Sequence, residues 1–165
     1  VNIFRIGGVV VCVAACSESA NVTHFQFVIA ADSIEIYDAY APAPAAPDVG
    51  SLYFTIINTG SHPDTLIGIE TSIGEDATLH AMRDQAGSMV MYPTGPVAIA
   101  PHDTLRLAPG GFHVMVTGMP TRPQVGDTIA VTLTFARTSR IDFPVPILTY
   151  TDVVQRLETT GDQEP

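Results

Sequence analysis

Apolar residues in this chain fall in short runs, cut at near-regular intervals by Gly, Pro, Asn and Asp. No segment sustains the 3.6-residue period of a helix. The stretch DTIAVTLTF shows the pattern most clearly. Ile129, Val131, Leu133 and Phe135 share one face of an extended segment, and Ala130, Thr132 and Thr134 share the other. Strands are expected at Ser33–Tyr40, Ser51–Asn58, Asp64–Glu70, Ala77–Met82, Met89–Tyr92, Val97–Ile99, Thr104–Leu107, Phe112–Thr117, Thr128–Ala136 and Ile141–Val145. A Pro-rich loop, APAPAAPDVG from Ala41, separates the first two. Many short strands joined by such turns predict an all-β fold, an antiparallel Greek-key β-sandwich or barrel.

The 165 residues suffice for one domain with a single core, and a hydrophobic fraction of 46% is that of a globular chain. A net charge of −10 argues against a nucleic-acid partner, which needs a basic face. All seven cations are arginine; nothing in the sequence gives that bias a function.

The first twenty residues read differently. VNIFRIGGVVVCVAAC carries one cation, Arg5, followed by an uncharged apolar run from Ile6 to Ala15. That run is too short to span a bilayer and suits the core of a secretory signal peptide. It ends in Val13-Ala14-Ala15-Cys16, which resembles the lipobox of bacterial lipoproteins. The resemblance implies that Cys16 is lipidated, anchors the protein to a membrane and becomes the mature N-terminus. The alternatives are an ordinary signal peptide, or a buried strand that uses cysteine as a small hydrophobe. Residues 21–32 read as a tether, 33–150 as the folded domain and 151–165 as a flexible acidic tail. The expected location is extracytoplasmic, in the periplasm or at the cell surface. Both cysteines, Cys12 and Cys16, fall in the leader, so the domain itself has neither disulfide nor thiol.

All five methionines lie between Met82 and Met119, an odd distribution for a residue whose usual work is filling gaps in cores. TLHAM and MVMYP flank the turn-like RDQAGS. A loop of two or four residues would pair Met82 with Met89 and His80 with Met91, so that all four project from one face. A three-residue loop would send Met91 to the other face. Beyond the turn PGG, the stretch FHVMV puts His113 and Met115 on one face and Phe112, Val114 and Val116 on the other, the core side.

Imidazole and thioether together make a soft donor set that suits Cu(I) and is poor for zinc or hard cations. The missing thiolate disfavours cysteine zinc sites, iron–sulfur clusters and His₂Cys blue copper. His24, His62 and His102 sit in polar or turn contexts and read as solvated, and Met119 reads as packing. Met82 and Met89 are auxiliary candidates. No pair of carboxylates suggests acid–base catalysis.

The order His80, ten residues, Met91, twenty-one residues, His113, one residue, Met115 resembles the motif of the periplasmic copper chaperone family PCu(A)C. GSLYFTIINTG, LAPGGFHVMVTGM and GDTIAVTLTF resemble further segments of that family, so the likeness runs from Ser33 to Val145. Tyr40 stands where the family has tryptophan, a departure whose expected consequence falls on packing. The resemblance implies a cupredoxin-like fold and a non-enzymatic carrier that binds one Cu(I) through His80, Met91, His113 and Met115. Its expected partner is the copper-A subunit of cytochrome oxidase or another copper-accepting protein. Copper storage or detoxification would use the same site. A copper-dependent oxidase and a metal-free structural β-sandwich are the readings from other classes.

Overall fold

The computed structural model describes residues 29–161, so the leader, Cys12, Cys16 and His24 lie outside the described residues. The strands are β1 (Ile29–Ala31), β2 (Ile34–Pro42), β3 (Val49–Asn58), β4 (Asp64–Thr71), β5 (Asp76–Gln85), β6 (Ser88–Pro93), β7 (Val97–Ile99), β8 (Thr104–Leu107), β9 (His113–Thr117), β10 (Thr128–Phe135) and β11 (Ile141–Leu148). One helix, α1 (Tyr150–Gly161), follows them.

Hydrogen-bonded ladders run in the order β6-β5-β9-β3-β2-β11-β10-β4-β7, with β1 added to β2 and β8 to β3. Among the described residues every ladder is antiparallel except β2 with β11, where Ile147 pairs with Ala41 and Leu148 with Pro42. Strand β3 divides its pairing. Its first half, Val49 to Leu52, meets β9, while Phe54 to Ile57 meet β8. The ladder path folds over onto itself, so that Phe54 of β3 and Phe143 of β11 meet edge-on at 5.6 Å between ring centroids. Alternate residues of both halves, including Ile34, Ile36, Leu52, Ile56, Val114, Val116, Val131, Leu133 and Val145, are fully or nearly fully buried in one core. Each such side chain contributes on the order of 1.5–3 kcal/mol by leaving water.

Two buried polar side chains fasten the loops at one end. Asn58, fully buried, donates to the carbonyls of His62, Ile99 and Ala100 and accepts from the Gly60 N–H. Asp64 accepts backbone N–H bonds from Thr65, Arg137 and Thr138 at 2.7–2.9 Å. Burial alone would raise its pKa, but the bonds from Thr138, Thr65 and Arg137 outweigh that and hold it below the ordinary carboxylate value.

Three expectations need correction. Residues 21–32 are not all tether, because Ile29–Ala31 pairs with Ile34–Ile36 as a short strand. Residues 151–165 are not a loose tail throughout, because α1 occupies Tyr150–Gly161. Its start is a reciprocal cap: the Asp152 N–H donates to Thr149 Oγ1, and the Thr149 N–H and hydroxyl donate to the Asp152 carboxylate. Val153 is buried, and the Arg156 guanidinium lies 5.4 Å from the centroid of the Tyr40 ring. Tyr40 in turn packs on Tyr53 at 5.3 Å, and its desolvated phenol is pushed up to about 12. Tyr40 therefore anchors a helix as well as filling space.

The third correction concerns the methionine hairpin. Its register pairs Gln85 with Ser88, Asp84 with Met89, Met82 with Met91 and His80 with Pro93. The turn is Ala86-Gly87, with φ of 56° and 83°. Met82 therefore faces Met91 rather than Met89, a slip of two residues that leaves every side chain on its expected face. A left-handed alanine is costly where Asn-Gly or Asp-Gly is the usual choice. Ala86→Asn should raise stability by about 0.5–1 kcal/mol, read from the midpoint of chemical unfolding.

Candidate metal centre

Both histidines owe their placement to strand alternation. On β5, Leu79 and Ala81 point into the core, which sends Thr78, His80, Met82 and Asp84 to the opposite face. On β9, Val114 and Val116 are fully buried in the core, which sends His113 and Met115 to that same outer face. The β5–β9 ladder pairs His80 directly with His113. Their rings lie roughly parallel, with centroids 6.0 Å apart and planes 23° from each other.

Both imidazoles are more than nine-tenths buried, at 8% and 6% exposure, although they stand on the face away from the main core. Each uses the same local contact. His80 Nδ1 lies 3.1 Å from the carbonyl oxygen of Thr78, and His113 Nδ1 lies 3.1 Å from that of Gly111. A carbonyl can only accept, so both Nδ1 atoms carry the proton and donate it. In a neutral ring bonded this way, Nε2 keeps its lone pair, the tautomer a metal ligand needs.

The methionines surround this rung. Met115 is half-buried one step along β9, between Thr78 of β5 and Ser51 of β3. Met91 lies on the other side, across from Met82, and Met82 is two residues from His80 on the same strand. Met91 is 46% exposed and Met89 57%, while Met82 is half-buried. The four residues singled out by spacing, His80, Met91, His113 and Met115, thus share one face, with the histidines central and the two thioethers on opposite sides. Met82, an auxiliary candidate in the sequence, stands closer to the histidine rung along the ladder than Met91 does, because the hairpin register sets Met91 across from Met82 rather than across from His80.

Among the described residues no three His, Cys, Asp or Glu side chains come together. Two imidazoles with neighbouring thioethers make a soft N/S donor set. The remaining described candidates lie elsewhere. His62 and His102 are exposed, the latter on a turn with φ of 58°, and Met119 is buried, its sulfur 3.6 Å from where a side chain on Gly50 would begin.

The family model "Putative lipoprotein LpqE-like" matches residues 34–147. The chain belongs to the LpqE-like family. A relative from Leifsonia xyli subsp. xyli, "Putative lipoprotein Lxx21020", is 30% identical to the LpqE-like chain over 118 residues, covering 71% of it and 70% of the relative. Among solved structures, the copper-bound PCuAC domain of PmoF2 superposes with a TM-score of 0.63 at 22% identity, covering 74% of this chain and 97% of that domain. The Cu(I) form of DR1885 from Deinococcus radiodurans gives a TM-score of 0.55 at 22% identity, covering 79% and 87% of the two chains. At these identities the likeness establishes the fold, and the LpqE-like chain has the cupredoxin-like architecture of a PCuAC domain.

Proposed function

We propose that the protein is an extracytoplasmic Cu(I) metallochaperone that holds one ion at His80, Met91, His113 and Met115. The observation that carries this reading is the His80–His113 rung, two buried imidazoles 6.0 Å apart with both Nδ1 atoms committed to backbone carbonyls. The LpqE-like family and the fold shared with copper-bound PCuAC domains support it. Neutral N/S donors bind Cu(I) less tightly than thiolates do, so release to a thiolate-bearing acceptor runs downhill. The acceptor proposed is the copper-A centre of cytochrome oxidase or a related copper protein. Lipidation at Cys16 would keep the carrier at the membrane surface, in line with the lipoprotein designation of its family. The role is one of transport, not catalysis.

Anaerobic titration with Cu(I) against a colorimetric chelator tests the proposal. One tightly bound equivalent is expected in the wild type, weakened roughly tenfold in Met91→Leu. A wild-type protein that fails to compete with the chelator would sink the chaperone reading.

A further inference from the structure

The outer half of the methionine hairpin is unexplained by a four-ligand site. Rungs follow one another from the turn inward along one face: Asp84 with Met89, then Met82 with Met91, then His80 beside His113. Exposure falls along the same path, from 57% at Met89 and 46% at Met91 to 8% and 6% at the histidines. Directly paired residues have Cβ atoms about 5 Å apart and diagonal neighbours about 7–8 Å, within reach of long side chains. Three unbranched thioethers at such spacings can turn their sulfurs toward one point.

The charge pattern favours a cation at that point. Asp84 lies on the methionine face at the hairpin tip, where its carboxylate accepts the Gly87 N–H at 3.0 Å. Arg83 projects to the opposite face, where its guanidinium covers the Tyr92 ring at 4.9 Å. The hairpin thus places its acid beside the sulfurs and its base behind them. Two exposed thioethers in a β-hairpin serve no packing purpose visible in this fold.

We propose that Met82, Met89 and Met91 form an all-thioether landing site for Cu(I), from which the ion passes inward to His80 and His113. The passage is a ligand exchange without a change of oxidation state: sulfur donors of the outer rung are replaced one by one by imidazole nitrogens. Met82 and Met91, adjoining the histidine rung, are the shared step. The inference rests on the Cu(I) reading above, but the landing site can be detected without the histidines.

The first test uses full-length protein labelled at the methionine methyls, titrated with Ag(I) as a redox-inert soft cation. In His80→Ala/His113→Ala, the methyl signals of Met82, Met89 and Met91 should shift while the buried Met119 stays in place. Absence of those shifts, or equal shifts at all five methyls, would overturn the site. Shifts at the outer three in the wild type, with Met115 unmoved, would uphold the landing site and count against the histidine centre. The second test is kinetic. Met82→Leu/Met89→Leu, which keeps apolar volume, should slow Cu(I) loading by about tenfold, while Met119→Leu loads at the wild-type rate. A double variant that loads as fast as the wild type would overturn the passage.

Discussion

Replacing His113 by alanine is expected to lower Cu(I) affinity by about a hundredfold. The reason is geometric. His113 is the cross-strand partner of His80, and its Nδ1 is already satisfied by Gly111, so on the proposed reading the imidazole would meet the ion in the correct tautomer with little reorganisation. Removing it leaves one nitrogen and the weaker thioethers. His80→Ala should behave alike, because its Nδ1 bond to Thr78 makes the two positions near-equivalent. Competition titration reads both. The apo-proteins should still unfold cooperatively, since the core residues on either side, Leu79 and Val114, are untouched. An alanine variant that kept wild-type affinity while folded would remove that histidine from the site.

The second large effect is one of stability. Asp64→Ala should cost about 3 kcal/mol, because three backbone N–H groups lose their acceptor in a buried setting. The carboxylate's pKa is lowered by folding, so the unfolded chain takes up its proton first as the solution is acidified. Its stabilising contribution is therefore complete well above the unfolded value of 3.8 and is lost as pH falls below it toward the folded-state value. The gap in unfolding free energy between wild type and Asp64→Asn should stay constant from pH 7 to about pH 5 and shrink below about pH 4. A gap independent of pH over that range would mean that the charge is immaterial.

Much of the architecture was legible because period-two alternation is a local signal. Ile129 to Phe135 show it, and each of the ten expected strands has a counterpart at nearly the expected place. Strand β1, Ile29 to Ala31, was missed because it falls at the end of the stretch read as a tether. The helix was missed because its signal sits at its cap, Thr149 with Asp152, while Val153 alone among its described residues is buried. The hairpin slipped by two because Ala86-Gly87 does not look like a two-residue turn, although both residues adopt the left-handed conformation that such a turn requires. Parity survived the slip, and with it the shared face of His80, Met82, Met89 and Met91. What no local pattern could supply was the β5–β9 register. The meeting of His80 with His113 belongs to tertiary structure.

That rung has a mechanical side. Residues 80 and 113 lie 33 apart in sequence, and β6, next to β5, ends the ladder order. On the proposed reading, an ion bound to both imidazoles would close this loop as a removable crosslink and restrain the β5–β9 ladder near one end of the sheet. With and without the ion, the protein would then differ less in shape than in stiffness.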